Sequence, residues 1–311
     1  MIVLFAEHWG RSKKNALTVI CWLNWWLAKL RYFWDSIRSK EYWRYAVWSL
    51  SAGAAYLSVF GAFYLVVEAL DFFKIVTREE YSAYAFLIFC LISAVIVLII
   101  RRPVGSVKIK WSKRDTGIEL KIGDIFDMPG AIMISTNTEF ESDVSGGRIA
   151  LDSLQGQFTD KYFAGRQNEL TEQIETYLEG LDETAPYSMG TTVPVATHSK
   201  TFYLTVMSKL NERGNASTTP KNVRKALAGL WKHVRKAGEL EELAVPVVGT
   251  GRGRLGPSRK KVIALIAESF VEASKDRKIT DKLTIVIRSE DASQFEINLR
   301  EVKNYLSHVL E

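Results

Sequence analysis

Lys121-Ile122-Gly123-Asp124-Ile125-Phe126 and, after four intervening residues, Ala131-Ile132-Met133-Ile134-Ser135-Thr136-Asn137 decide the fold. The first stretch reads as a strand that ends in Gly-Asp-Ile. Pro129 and Gly130 mark a short turn, and the second stretch is an apolar strand that delivers small polar residues at its tip. Around this pair the same alternation continues. Short runs rich in β-branched or apolar residues at Val107–Trp111, Ile118–Ile122, Ala131–Ser135, Thr192–Thr197, Thr201–Ser208, Leu243–Val248 and Leu283–Arg288 are expected as strands. Helical spacing is expected over Glu169–Leu181, Pro220–Leu240, Pro257–Ala273 and Gln294–Leu310, the second with Val223, Leu227, Leu230, Trp231 and Val234 on one face. About 200 residues suffice for one domain with a full core, a mixed sheet between helix layers.

A second segment suited to chemistry is Gly249-Thr250-Gly251-Arg252-Gly253-Arg254-Leu255-Gly256-Pro257, between an apolar strand and a helix. Glycines at such a junction let backbone amides turn toward an anion, and a helix N-terminus adds its dipole. The bland reading is a surface turn with two solvated arginines. A Gly-x-Gly-x-x-Gly match is present, but the acidic residue and second strand of a dinucleotide fingerprint are not in place. Pro257 stands where a Walker lysine is needed.

Upstream lie two long apolar runs, Ala46–Leu70 and Ala83–Ile100, whose single charge is Glu68. Runs of about 20 apolar residues can span a bilayer as helices, so a transmembrane hairpin is expected over residues 46–100. Basic residues flank its outer ends (Lys29, Arg31, Arg38, Lys40 and Arg44 before, Arg101, Arg102, Lys108, Lys110, Lys113 and Arg114 after), which puts both termini in the cytoplasm of a multi-pass protein. Residues 1–45 are dense in Trp, with Lys29, Arg31 and Arg38 interleaved. They suit an amphipathic segment lying on the inner leaflet better than a third, poor span broken by Asn24 and Lys29. Residues 101–106 form a short linker, and 107–311 the large domain. Ala54, Ser58 and Ala62 recur every four residues, with Gly53 and Gly61 beside them, a spacing that lets helices approach closely. The partner is either the second span of the same chain or another copy.

The net charge of +6 is unevenly spread. Met1–Tyr45 and Arg101–Thr116 each carry +5, whereas the 25 basic and 27 acidic residues from Gly117 onward leave the large domain at −2. The basic excess therefore sits where it meets anionic lipid, and no nucleic-acid partner is expected. Cys21 and Cys90 lie in apolar surroundings and the four histidines show no ligand spacing, so neither a disulfide framework nor a metal site is expected.

Together the first two segments resemble the macro domain, the ADP-ribose-binding α/β/α fold. The resemblance runs from about Val107 to about Ile287. In that family the Gly-Asp-Ile aspartate reads the adenine amino group, and here Gly123, Asp124 and Ile125 stand in its place. The strand Ala-Ile-Val-Asn-Ala-Ala-Asn is matched by Ala131 to Asn137, and the diphosphate-clasping loop by Gly249 to Gly256. The resemblance thus implies Asp124, Ile125, Ser135, Thr136, Asn137, Gln155, Gly249, Thr250, Gly251, Arg252, Gly253 and Arg254 as ligand-binding residues, with no catalytic residue and no cofactor. Two departures bear on catalysis: Ile134 replaces the first Asn of the family pair, and its glycine triplet shrinks to Gly146-Gly147.

Ser153-Leu154-Gln155-Gly156-Gln157-Phe158 and Gly190-Thr191-Thr192 resemble motifs of a divergent macro branch fused to two transmembrane helices. The whole is similar to the membrane effector of type II Thoeris antiphage defence. That resemblance implies a transmembrane hairpin followed by a three-layer macro-like domain in the bacterial inner membrane. It also implies a receptor for an ADP-ribose-derived signal, histidine-linked in that system and made by a TIR-domain enzyme, which assembles as a homo-oligomer and disrupts the lipid bilayer. The alternative is a membrane-tethered ADP-ribosyl hydrolase.

Overall fold

A computed structural model describes residues 33–34, 37–38, 42–43, 46–75, 84–111, 116–142, 149–181, 183–210, 216–237, 242–248, 258–295 and 297–309. The chain divides into two compact units, Met1–Val104 and Gly105–Glu311.

In the first unit, helix α1 spans Leu50–Phe72 and helix α2 spans Tyr84–Ile100. Ser49 caps α1 by accepting from the Ala52 amide at 3.1 Å, and Arg101, just past α2, donates to the Ser49 and Ser51 hydroxyls at 3.1 and 3.0 Å. Phe60 meets Phe86 edge-on at 5.8 Å and Phe63 stacks on Phe89 at 5.9 Å, so the helices pack through aromatic side chains. The row of Ala54, Ser58 and Ala62 is exposed, and a Cβ built on Gly53 or Gly61 meets nothing within 4 Å. Contact with α2 therefore does not use the small-residue face. Among the described residues one helix, α1, is long and apolar enough to cross a membrane; α2, at 17 residues, is apolar but shorter. The expected pair of spans is thus met by one helix of spanning length, and a multi-pass topology does not follow from the helices alone. Most of the Trp-rich segment 1–45 lies outside the described residues.

The second unit is built on a mixed sheet. Its strands are β1 (Ser106–Trp111), β2 (Thr116–Ile122), β3 (Ala131–Asn137), β4 (Thr192–Thr197), β5 (Lys200–Leu210), β6 (Ala216–Ser217), β7 (Leu243–Pro246) and β8 (Lys282–Ile287). The order is β1-β2-β8-β7-β3-β5-β4, with β6 paired to β5. The five inner strands run parallel and the edges β1 and β4 run antiparallel. Parallel inner strands must be covered on both faces, and most of their residues are accordingly buried, with apolar runs such as Ala131–Ile134 and Leu243–Val245. On one face lie α3 (Leu154–Phe163), α4 (Gln167–Glu179) and a 3-10 turn at Ile125–Asp127, which bury Phe158, Tyr162, Leu170 and Ile174 against Ile132, Ile134, Phe202 and Leu204. α5 (Pro220–Ala237) packs against β5 and against α6 (Arg259–Ala273), joined by Trp231, which stacks edge-on with Phe270 and donates its indole N–H to Ser269. After the short α7 (Ser289–Gln294), α8 (Leu299–Val309) packs on β1.

Two expectations about helices need correction. The pattern over Gln294–Leu310 is interrupted, because Asn298 Oδ1 accepts from the Arg300 and Glu301 amides and starts α8 there. α3 was not expected as a helix. Ser153 caps it through the Gly156 amide at 3.0 Å, and Gly156 is needed because a Cβ there would lie 2.2 Å from the Ala150 carbonyl oxygen. The Gly190-Thr191-Thr192 motif also has a packing role: Gly190 has φ +97°, and a Cβ on Gly229 of α5 would stand 2.3 Å from its carbonyl oxygen.

Candidate functional site

Because β2, β8, β7, β3 and β5 are parallel, their carboxyl ends share one edge of the sheet. Asp124 follows β2, Asn137 ends β3, and residues 249–257 follow β7. In open α/β sheets ligands bind outside this edge, where connections from neighbouring strands leave in opposite directions. Here β3 leads toward β5 on one side and β7 toward β8 on the other. The β3–β7 ladder holds only Ala131 with Leu243 and Ile132 with Ala244. Pro246 has no N–H to extend it, and Val247 donates instead to Val286 of β8. From Met133 to Asn137, β3 therefore has no ladder partner on its β7 side among the described residues, which opens the sheet between the Ser135–Asn137 tip and the approach to the glycine-rich run. The run itself, with Gly249, Thr250, Gly251, Arg252, Gly253 and Arg254, lies outside the described residues.

At the tip of β3 a shift in register between Thr136 and Asn137 interrupts pairing with β5. Asn137 is buried, and its Oδ1 accepts from the Glu139 amide at 2.9 Å and the Glu141 amide at 3.3 Å. Gln155, also buried, donates from Nε2 to the Glu141 carbonyl at 2.6 Å. Asn137 and Gln155 thus hold the same peptide segment from two elements. Ser135 is half-buried, and Thr136 is buried with no hydrogen-bond partner for its hydroxyl among the described residues.

Asp124 lies at the other end of α3. Its Oδ1 caps the 3-10 turn by accepting from the Phe126 amide at 3.0 Å, and Oδ2 stands 3.8 Å from the Lys161 ammonium. The Ile125 side chain is buried in the core. Gln155 and Lys161 are six residues apart on one helix, so the Asn137 and Asp124 ends of the site are separated by roughly 9 Å along its axis. α3 carries contacts to both.

Three residues near Asp124 escaped sequence reading. Lys161 lies 4.9 Å over the Phe126 ring. Lys200, at the start of β5, donates to the carbonyls of Phe126 at 2.7 Å and Met128 at 3.1 Å, which pins the segment that carries Asp124. Burial pushes its ammonium below the usual lysine range, only partly countered by Asp127 and Asp124. Burial, then Asp124 and Asp127, pushes the Tyr162 hydroxyl above its usual value. These partners lie 35 to 76 residues apart in the chain, and no local pattern announces them. Among the described residues no group of three or more His, Cys, Asp or Glu side chains is placed to hold a metal ion.

The family profile described as Thoeris protein ThsA, macro domain, matches residues 118–288. A Thoeris protein ThsA of Bacillus amyloliquefaciens (strain Y2) is 20% identical over 201 residues, which cover 60% of this chain and 67% of that protein. Among solved structures, the Oceanobacillus iheyensis macrodomain with ADP aligns over 65% of this chain and 97% of its own, with 15% identity and a TM-score of 0.48. The Trypanosoma brucei macrodomain in complex with ADP-ribose aligns over 58% and 67%, with 14% identity and a TM-score of 0.41. With a profile match spanning more than half its length, the chain belongs to the Thoeris ThsA macro-domain family.

Proposed function

We propose that this protein is a membrane-anchored receptor and effector of antiphage defence whose macro domain binds an ADP-ribose-derived signal. The signal, histidine-linked ADP-ribose in our reading, is supplied by a TIR-domain enzyme. The observation that carries the proposal is the open β3–β7 ladder at the carboxyl edge, flanked by Ser135–Asn137 and by the approach to the glycine-rich run, in a chain of the ThsA macro-domain family. Asp124 accepts from the adenine amino group. Backbone amides of Gly249–Gly253 clasp the diphosphate, and Arg252 or Arg254 adds a charge-assisted contact. A sensor is favoured over a hydrolase by Ile134: the position where hydrolytic relatives are expected to carry an Asn is a fully buried aliphatic side chain.

Residues 46–100 act as the membrane hairpin, with residues 1–45 on the inner leaflet, both termini cytoplasmic and the protein in the inner membrane. Ligand binding shifts the population toward a homo-oligomer, which requires that the assembled state bind the signal more tightly than the resting one. The exposed Ala54, Ser58 and Ala62 face supports contact between copies through α1. Full-length protein in dye-loaded liposomes tests this: histidine-linked ADP-ribose should release dye, and Ser58→Leu should bind the ligand normally yet release little. Dye release by Ser58→Leu equal to wild type removes this face from the output. Chromatography of the ligand afterwards separates receptor from hydrolase, since a receptor returns it intact.

A further inference from the structure

Asp124 and Lys161 form a donor and acceptor pair whose polar atoms are built into the domain by different elements. Asp124 is fixed at the end of β2, its Oδ1 committed to the Phe126 amide. Its segment is anchored by Lys200, which holds the Phe126 and Met128 carbonyls. Lys161 comes from the last turn of α3, with its ammonium over the Phe126 ring. The two heads are 3.8 Å apart, beyond hydrogen-bond distance, and the side chains are 46% and 50% exposed for Lys161 and Asp124 respectively. A solvent-facing carboxylate oxygen therefore stands beside a solvent-facing ammonium, with an aromatic face below. Surface ion pairs of this kind add little to stability, so their arrangement is better explained by what they present outward.

The outward pattern is one acceptor next to one donor. Adenine offers the complement: its amino group donates, and an unprotonated ring nitrogen lies beside that group as an acceptor. We propose that the Lys161 ammonium donates to a ring nitrogen of the ligand's base while Asp124 accepts from the neighbouring amino group, which makes Lys161 a specificity-determining residue. This inference rests on the ADP-ribose reading of the site. A carboxylate alone would accept any amino group, whereas the pair demands a donor and an acceptor side by side. A site that must pair both of its polar groups rejects a ligand that lacks one of them.

The test is a cycle between Lys161 and the ring nitrogens, run on the full chain in lipid nanodiscs by calorimetry. The probes are ADP-ribose and its 1-deaza and 7-deaza analogues, each of which keeps the amino group and the diphosphate but replaces one ring nitrogen by C–H. Wild type should bind one of the analogues at least tenfold more weakly than ADP-ribose. Lys161→Met, an unbranched side chain that has no donor, should bind ADP-ribose at least tenfold more weakly and no longer distinguish that analogue. Because all probes carry the same charge, general attraction for anions cancels from the ratio. Lys161→Leu, which likewise has no donor, is the second variant should Lys161→Met fail to fold. If wild type binds ADP-ribose and the variant preserves both its affinity and the wild-type ratios, the role of Lys161 is overturned while the receptor reading stands. If wild type binds neither these three probes nor histidine-linked ADP-ribose, both fall.

Discussion

Lys200→Met isolates the residue that holds the Asp124 segment in place. The substitution removes donors at 2.7 and 3.1 Å from the carbonyls of Phe126 and Met128, residues only 4% and 2% exposed. A buried acceptor left unpaired costs about 1 to 3 kcal/mol. Against that, the ammonium already bears a burial penalty, visible as its lowered pKa, which methionine does not. The net loss expected is roughly 2 kcal/mol, the lower end for two orphaned carbonyls. Urea unfolding of the full chain in detergent should show a lower midpoint at unchanged slope, and hydrogen exchange at residues 124–128 should quicken. There is also a pH signature. A lysine whose folded pKa lies below its ordinary value of 10.5 contributes stability above that value, and the contribution is lost as pH falls through the folded pKa. Wild type should therefore gain stability on approaching pH 10.5 relative to Lys200→Met. A midpoint shift worth less than about 0.5 kcal/mol, the size of an ordinary surface substitution, would refute the pinning role.

Asp124→Ala should lose about 1 kcal/mol of stability as a lost cap, and in the folded variant ADP-ribose should bind at least tenfold more weakly by calorimetry; wild-type affinity would take Asp124 out of the site. Gly229→Ala should lower the melting temperature, since its Cβ would lie 2.3 Å from the Gly190 oxygen and 2.5 Å from its Cα, and a backbone clash costing about 1 to 3 kcal/mol outweighs the gain in helix propensity of about 1. His233, set between Tyr177 and Tyr203, has its pKa pushed below 6.5 by burial and then by Lys236. Its contribution to stability is present above pH 6.5 and lost as pH falls through the folded value, so His233→Phe should show a shallower acid-side decline in melting temperature than wild type.

The sheet was legible because its strands carry apolar or β-branched runs bounded by turn residues, and the Gly-Asp-Ile and Ser-Thr-Asn tips could be read in order. What escaped depends on distance or on backbone contact. Leu154–Phe163 carries a glycine and several polar residues and does not read as a helix; Gly156 is explained only by the Ala150 carbonyl against it. The break before Leu299 comes from a single capping Asn298, within a run whose apolar spacing otherwise continues. The order of β8 and β7 between β2 and β3, and with it the open ladder, follows from pairings across more than 100 residues. At the site, Asp124 and Asn137 lie 13 residues apart in the chain, and the fold ties them to opposite ends of α3. The proposed adenine reader Asp124 doubles as a turn cap, so its two carboxylate oxygens have separate tasks.

The most direct measurement is a calorimetric titration of the full chain in nanodiscs with ADP-ribose and histidine-linked ADP-ribose, against adenosine monophosphate as a control lacking the diphosphate. Saturable binding of one ADP-ribose compound per chain is expected, tighter for the histidine-linked form, with the monophosphate at least tenfold weaker. No binding of either ADP-ribose compound, or equal binding of the monophosphate, would contradict it.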